Sequence, residues 1–501
     1  MDVQGSRDLT GSGNNAVGQA YKGLVLLCFL FSAFLPFFIA NTSLQMSALI
    51  FLALIVGLLC TIYLEAGILL LFLVSPVIVI GERAFGDYKL CLAALVLVLW
   101  AIKKMHDKES LAEILGHPLV YFVIAFSILG FFSVMAAADT KASLKFFMKH
   151  MGNLVFLFIF LDMFKSKRII YRIIFCLLLA SVLESLYGLF EFAVNIKKGT
   201  FEAMYRSSGT FQHPNIFGRY LSLVFVFIVA LVLDTKNKRT LFLYIASGIV
   251  ILSAILVSFS RSALTGIFVG CLFLIPMYFK LRIRSFINIS MAVTFCLLNV
   301  IFISGLIKTF AADEQLSMSA YEAGVGLSSG KASVIETVSG AFSRQLSREN
   351  IWDTSRKMVL DHPILGCGVG MIGPASTEYL ETDYLDTEIS LDRLEKEGVV
   401  NPDEIPNAHN LFLQVMVEMG IGGAVLMLWL YYVIFTHVRK NLALVTDNTQ
   451  RILLLGGAAC VINDLFMGLF EPANMFGPGS LGFLFVFFAS LVFASPKIRP
   501  S

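Results

Sequence analysis

Apolar residues in this chain lie in long unbroken runs of roughly 16–26 positions, separated by short charged breaks. A bilayer core about 30 Å thick is crossed by about 20 apolar residues in a helix. Fourteen candidate spans begin near residues 22, 44, 66, 89, 117, 145, 169, 215, 240, 262, 285, 411, 452 and 475. The third (66–81) and fourth (89–103) are short, which leaves twelve or thirteen spans open. The stretch Leu221 to Leu233 is almost entirely Leu, Val, Phe and Ile, each favouring insertion by about 0.3–0.6 kcal/mol. The pattern predicts an all-α polytopic membrane protein with about 12–14 transmembrane helices and one large helical loop.

Composition agrees. Of 501 residues, 57% are hydrophobic and 15% charged, against about 45–50% and about 25% in soluble domains. That excludes a soluble enzyme, a nucleic-acid module and a secreted disulfide scaffold. Seven of the eight cysteines fall in apolar runs, and Cys367 alone lies in a long polar loop, so no disulfide framework is implied. The net charge of +3 carries no global signal, but its distribution does. Lys103, Lys104 and Lys108, then Lys165, Lys167 and Arg168, then Lys236, Lys238 and Arg239, then Lys280, Arg282 and Arg284, and finally Arg439 and Lys440 occupy alternate breaks. Those breaks and both termini are expected to be cytoplasmic, and 82–88, 138–149, 195–214, 259–261, 307–410 and 471–474 to face outward. The polar start, Met1 to Tyr21, lacks the basic region and short apolar core of a cleaved signal, so the first span is expected to stay in place.

The organisation expected is a tail (1–21), a bundle of about eleven spans (22–306), a large loop (307–410), C-terminal transmembrane helices (411–494) and a second tail (495–501). The loop is too long for a connector. Ala311 to Thr337 is rich in small residues, Phe342 to Leu360 has helical amphipathic spacing, and Glu378 to Glu404 holds ten acids against two bases. It is expected to fold over the outer ends of the helices. One outward break disobeys the charge rule. Lys141, Lys145 and Lys149 recur every fourth residue and share one helical face. They read either as an interfacial helix against anionic headgroups or as a landing strip for an anionic lipid substrate.

Polar groups at the outer boundary are the candidates for chemistry, because charge near hydrocarbon is costly. The run from Thr240 to Phe279 is too long for one span and must turn near Ser258 to Ser262. That puts Arg261 half-buried at the tip of a hairpin, either gripping phosphate oxygens or making a structural ion pair. Arg206 supplies a second cation ahead of Gly209, Pro214 and Asn215, and Asn215 can cap the next helix. His213 reads as a loop histidine more readily than as a catalyst. His409 stands where the large loop re-enters the membrane, and imidazole can remove a proton from a hydroxyl near neutral pH. Asn410 and Gln414 could orient a sugar or that histidine. Arg348 is a further candidate phosphate clamp or a salt-bridge partner, and Glu471 could orient a cation or histidine. No nucleotide-binding glycine loop and no His/Cys metal cluster is present in the sequence, so no cofactor is expected.

These residues together resemble the O-antigen ligase/O-antigen polymerase superfamily of bacterial polysaccharide-assembly enzymes. The resemblance is carried by Arg206, Gly209, Thr210, Phe211, His213, Pro214, Asn215 and Gly218; by Ser258, Ser260 and Arg261; by Arg348, Trp352, His362, Pro363, Gly366, Gly368 and Gly370; and by His409, Asn410, Leu413, Glu418, Gly420 and Gly423. It covers roughly residues 200–430 and lies in the ordered set rather than in any one motif. It implies a GT-C-like, inverting, metal-independent glycosyltransferase of the bacterial inner membrane with a periplasmic active site. The donor implied is a glycan on polyprenyl (undecaprenyl) diphosphate. The acceptor is lipid A–core in a ligase or another glycan in a polymerase, with membrane lipids and other polysaccharide-assembly proteins as partners and no nucleic acid. His409 would then be the base, or would position the acceptor hydroxyl, and Arg206, Arg261 and Arg348 would hold the diphosphate. The rival class is a lipid-linked glycan flippase or secondary transporter, although no internal repeat is visible.

Overall fold

A computed structural model of the protein describes residues 64–74, 96–104, 112–164, 166–197, 206–211, 213–279, 351–376, 379, 407–445, 447–471 and 479–497. The spans expected near residues 22, 44 and 285, the first tail, the acidic stretch and Arg348 lie outside them. The main helices are α1 (Leu64–Val74), α2 (Pro118–Ala136), α3 (Thr140–Met163), α4 (Lys167–Lys197), α5 (Pro214–Asp234), α6 (Lys238–Val257), α7 (Arg261–Phe279), α8 (Leu411–Leu442), α9 (Asn448–Gly468) and α10 (Gly479–Ala494). Among the described residues there is no strand, and seven helices are long and apolar enough to cross a membrane. Two shorter apolar helices accompany them. The protein is an all-α polytopic membrane protein.

Helix α5 is apolar on every side and is buried almost throughout, so it forms the axis of the bundle. It packs against α6, α7 and α9. A second layer joins α3 to α10 and α2 to α8. Its core is aromatic: Phe72 lies 4.7 Å from Phe483 and 4.9 Å from Phe487, and Phe160 lies 5.3 Å from Phe164, between ring centroids. A large part of the phenylalanine content therefore fills helix interfaces rather than facing lipid. At the end of the bundle away from His409, Asp162 accepts from Lys104 at 2.7 Å and Trp100 at 3.0 Å, and Lys167 pairs with Asp447 at 3.1 Å.

Two local features depart from the expectation. Residues 140–149 are not a break but the first turns of α3, because the apolar residues between the lysines let the helix begin at Thr140, capped by Asp139. Helix α8 is kinked at Gly420 (φ 70°, ψ −174°), a conformation open to glycine. The kink frees backbone groups in an apolar setting, and the large loop satisfies them. The N–H of Cys367 donates to Val417 O (2.8 Å), that of Gly368 to Glu418 O (3.2 Å), and that of Ile421 to Pro363 O (2.9 Å). Gly366 and Gly420 lie back to back, since a Cβ on the first would meet Glu418 backbone at 2.4 Å and on the second Ile364 O at 2.3 Å. The run His362-Pro363-Ile364-Leu365-Gly366 is thus a backbone clamp on α8.

Candidate functional site

Three chain segments converge at one end of the bundle: 206–215, 258–261 and 407–410, with the turn that follows α9 (469–471) beside them. The first is held by α4. Glu191 Oε2 accepts from Ser207 Oγ (2.8 Å), Ser208 N (3.1 Å) and Gly209 N (2.9 Å). Two turns earlier on the same face of that helix, Glu184 accepts from Thr210 N (2.6 Å) and Thr210 Oγ1 (3.0 Å). Gly209 has φ +58°, and a Cβ there would meet Glu184 Oε1 at 2.3 Å, so the carboxylate reads the bare backbone. Arg206 donates to Ser258 O from Nε (2.9 Å) and to Asn215 Oδ1 from Nη2 (2.5 Å). Asn215, expected as a helix cap, serves as a brace for this guanidinium.

The cap of α5 is His213, whose Nδ1 accepts from Asn215 N at 3.1 Å. A nitrogen used this way is not free to take a proton, and His213 acts as the loop histidine. Burial lowers its proton affinity; Glu471 opposes the shift, while Arg206 and His409 reinforce it. The turn between α6 and α7 falls at 258–260, as the run length required, with Phe259 at φ 48°. Arg261 opens α7 and is exposed rather than half-buried, with no described side-chain partner for its guanidinium.

His409 is also in the left-handed region (φ 48°). Its backbone N–H donates to Asn407 Oδ1 (2.9 Å), and Ala408 N donates to Gln414 Oε1 (2.8 Å). Gln414 in turn donates to the buried Glu418. Trp352 Nε1, from the loop helix 351–361, donates to Ala408 O at 3.0 Å. Asn410 caps α8 by accepting from Leu413 N (3.1 Å) and donates to Leu469 O (3.1 Å). The strained residue is therefore fixed on both sides.

The ring of His409 faces Glu471, with Nδ1 3.3 Å from Oε2. Asn407 Nδ2 lies 3.4 Å from Oε1 of the same carboxylate. Burial pushes the Glu471 carboxyl up, but the hydrogen bond and charge of His409, with His213 and Arg219, outweigh it and hold Glu471 below the ordinary carboxylate range. Behind this pair lies Arg219, buried inside α5. It donates to Asp464 Oδ1 from Nε (3.0 Å) and Nη2 (2.7 Å), to Asp464 O (2.9 Å), and from Nη1 to Glu471 O (2.5 Å). A guanidinium in the bundle interior thus fixes the backbone that carries Glu471.

Arg206, Asn215, His409, Asn410, Gln414 and Glu471 come together here, and Arg261 begins the helix after the turn that holds Arg206. Residues 246–428, which contain Arg261, the glycine clamp and His409, match the family described as O-antigen ligase. That match, over a little more than a third of the chain, supports the resemblance to the O-antigen ligase/polymerase superfamily. No curated protein matched the chain. The matched family is one of glycan ligases, which is the coarse activity the match supports. Glu184, Glu191, Arg219 and Asp464 were missed by sequence reading. Each is an acid or base inside an apolar run, which is the signal that could have found them.

Proposed function

We propose that the protein transfers a glycan from polyprenyl diphosphate to an acceptor hydroxyl at the outer face of the bacterial inner membrane, with inversion and without metal. The observation that carries this reading is His409 held against Glu471 at 3.3 Å, on the same end of the bundle as Arg206. With Nδ1 turned to the carboxylate, Nε2 is the nitrogen left to meet a hydroxyl. The acceptor oxygen attacks the anomeric carbon as its proton passes to His409. The bond from that carbon to the diphosphate oxygen breaks, and the electron pair leaves with the lipid diphosphate. Glu471 stabilises the imidazolium, in the manner of an acid that orients a catalytic histidine.

Charge grows on the leaving group, and fixed cations there stabilise the transition state. Arg206, braced by Ser258 and Asn215, and Arg261, exposed at the start of α7, are assigned to the diphosphate, and Arg348 is kept as a third. Asn410 and Gln414 hold the histidine segment. The test is transfer by purified protein in detergent, with EDTA, from a polyprenyl-diphosphate oligosaccharide with and without lipid A–core. Product on lipid A–core identifies a ligase, and a lengthened donor glycan a polymerase. A well-folded sample that makes neither product overturns the reading.

A further inference from the structure

The lysines of α3 descend into the membrane rather than lying along its surface. Helix α2 spans 19 residues, about 28 Å at 1.5 Å per residue, which matches a bilayer core, so its middle near Ser127 marks the bilayer centre. The register of α3 against α2 follows from contacts. A Cβ on Gly130 would meet the Phe147 ring at 2.5 Å, and Ser127 Oγ lies 3.5 Å from Met151 Sδ. Lys149 falls between these levels, close to mid-membrane, while Lys141 sits at the start of the helix. The buried face of α3 carries Ser143, Phe147 and His150. Lys141 and Lys145 are exposed, with Leu144 (44%) and Met148 (51%) beside them, and Lys149 is half-buried. The neighbouring lipid-facing surface of α2 bears Phe131, Phe132 and Met135.

Helical side chains lean toward the N-terminus. All three ammonium groups therefore tilt toward the end of the bundle where His409 lies. No described ion pair involves Lys141 or Lys145. A lysine ladder on an apolar, outward-facing surface is complemented by headgroup phosphate drawn below its usual depth, with acyl chains along Leu144, Met148 and the α2 aromatics.

We infer that Lys141, Lys145 and Lys149 form a binding site for an anionic phospholipid, which seats its phosphate on α3 and thins the bilayer beside the site end of the protein. Nothing in this depends on the reaction proposed above.

Native mass spectrometry of the purified protein tests it, with phosphatidylglycerol, phosphatidylcholine and polyprenyl diphosphate offered in turn. The expected result is a preference for phosphatidylglycerol over phosphatidylcholine, reduced roughly fivefold for each lysine replaced, or on the order of a hundredfold in K141Q/K145Q/K149Q. The triple arginine variant should keep it. Should the triple glutamine variant not fold, K141Q/K145Q, both exposed, is the variant to read. Unchanged preference in a folded glutamine variant overturns the site. Binding of polyprenyl diphosphate but not of phosphatidylglycerol through these lysines overturns the phospholipid assignment.

Discussion

Nδ1 of His409 and Oε2 of Glu471 stand 3.3 Å apart although 62 residues separate them in the chain. One belongs to the re-entry point of the large loop and the other to the turn after α9, so the pair exists only in the folded bundle. If His409 is the base, His409→Ala should lower transfer by about 10²–10⁴, and Glu471→Gln should lower it less. His213→Ala should keep activity and cost on the order of 1 kcal/mol of stability, through the lost cap. Initial rates and thermal melts of the three variants check this. The reverse order of His409→Ala and His213→Ala would move the catalytic role to the earlier loop.

The same pair sets a pH dependence. Glu471 titrates below its unfolded value of 4.5, so it stabilises the fold above that pH, and the contribution is lost as pH falls through the folded value. His213 is shifted below its unfolded value of 6.5, so its neutral form is favoured on folding and acidification below 6.5 also destabilises. Both slopes have the same sign. Melting temperature in detergent should decline from about pH 6.5 downward, with the part below 4.5 absent in Glu471→Gln. A decline unchanged in that variant would remove Glu471 from the account.

Arg261 is exposed, so its loss should hardly touch the fold. Arg261→Ala is expected to melt within about 0.5 kcal/mol of the parent while transfer drops by about 10²–10³. Size-exclusion profiles and rates measured on one preparation separate the two effects. A variant that aggregates would point instead to a structural ion pair with a residue outside those described.

Arg219 is the opposite case. Arg219→Met leaves Asp464 charged and unpaired among apolar helices, and about 3–5 kcal/mol of destabilisation is expected. Arg219→Met combined with Asp464→Leu should recover most of the expression. It should not recover transfer, because the hold on Glu471 O is gone. Full activity in the double variant would show that Glu471 needs no support from α5.

The boundary residues Arg206, Arg261 and His409 were legible because a charge or imidazole between apolar runs stands out, and topology alone places alternate breaks on one side. Glu471 was legible for the same reason. The interior groups were not. Glu184 and Glu191 look like isolated acids in α4 until the loop at 207–210 is laid across them, and Arg219 finds Asp464 across 245 residues. Pairings of that kind are decided by helix packing, which a run of apolar letters does not encode. The glycines at 366 and 420 were visible as a motif, but their use as facing backbones was not.

That use gives a direct prediction. Gly420→Ala adds a Cβ 2.3 Å from Ile364 O at a positive φ, which should cost about 1–3 kcal/mol. Limited proteolysis should then cut the large loop faster than in the parent, whereas Gly422→Ala, where a Cβ meets only Leu129 at 3.3 Å, should behave nearly as the parent. Equal cutting in both would remove the clamp.

The clamp also decides where this protein can vary. Met358 and Ile372 are packed with Ala408 and Val417, and Trp352 is tied to Ala408. Change is costliest where those four side chains meet, because a shift there is passed to Ala408 and so to the histidine beside it.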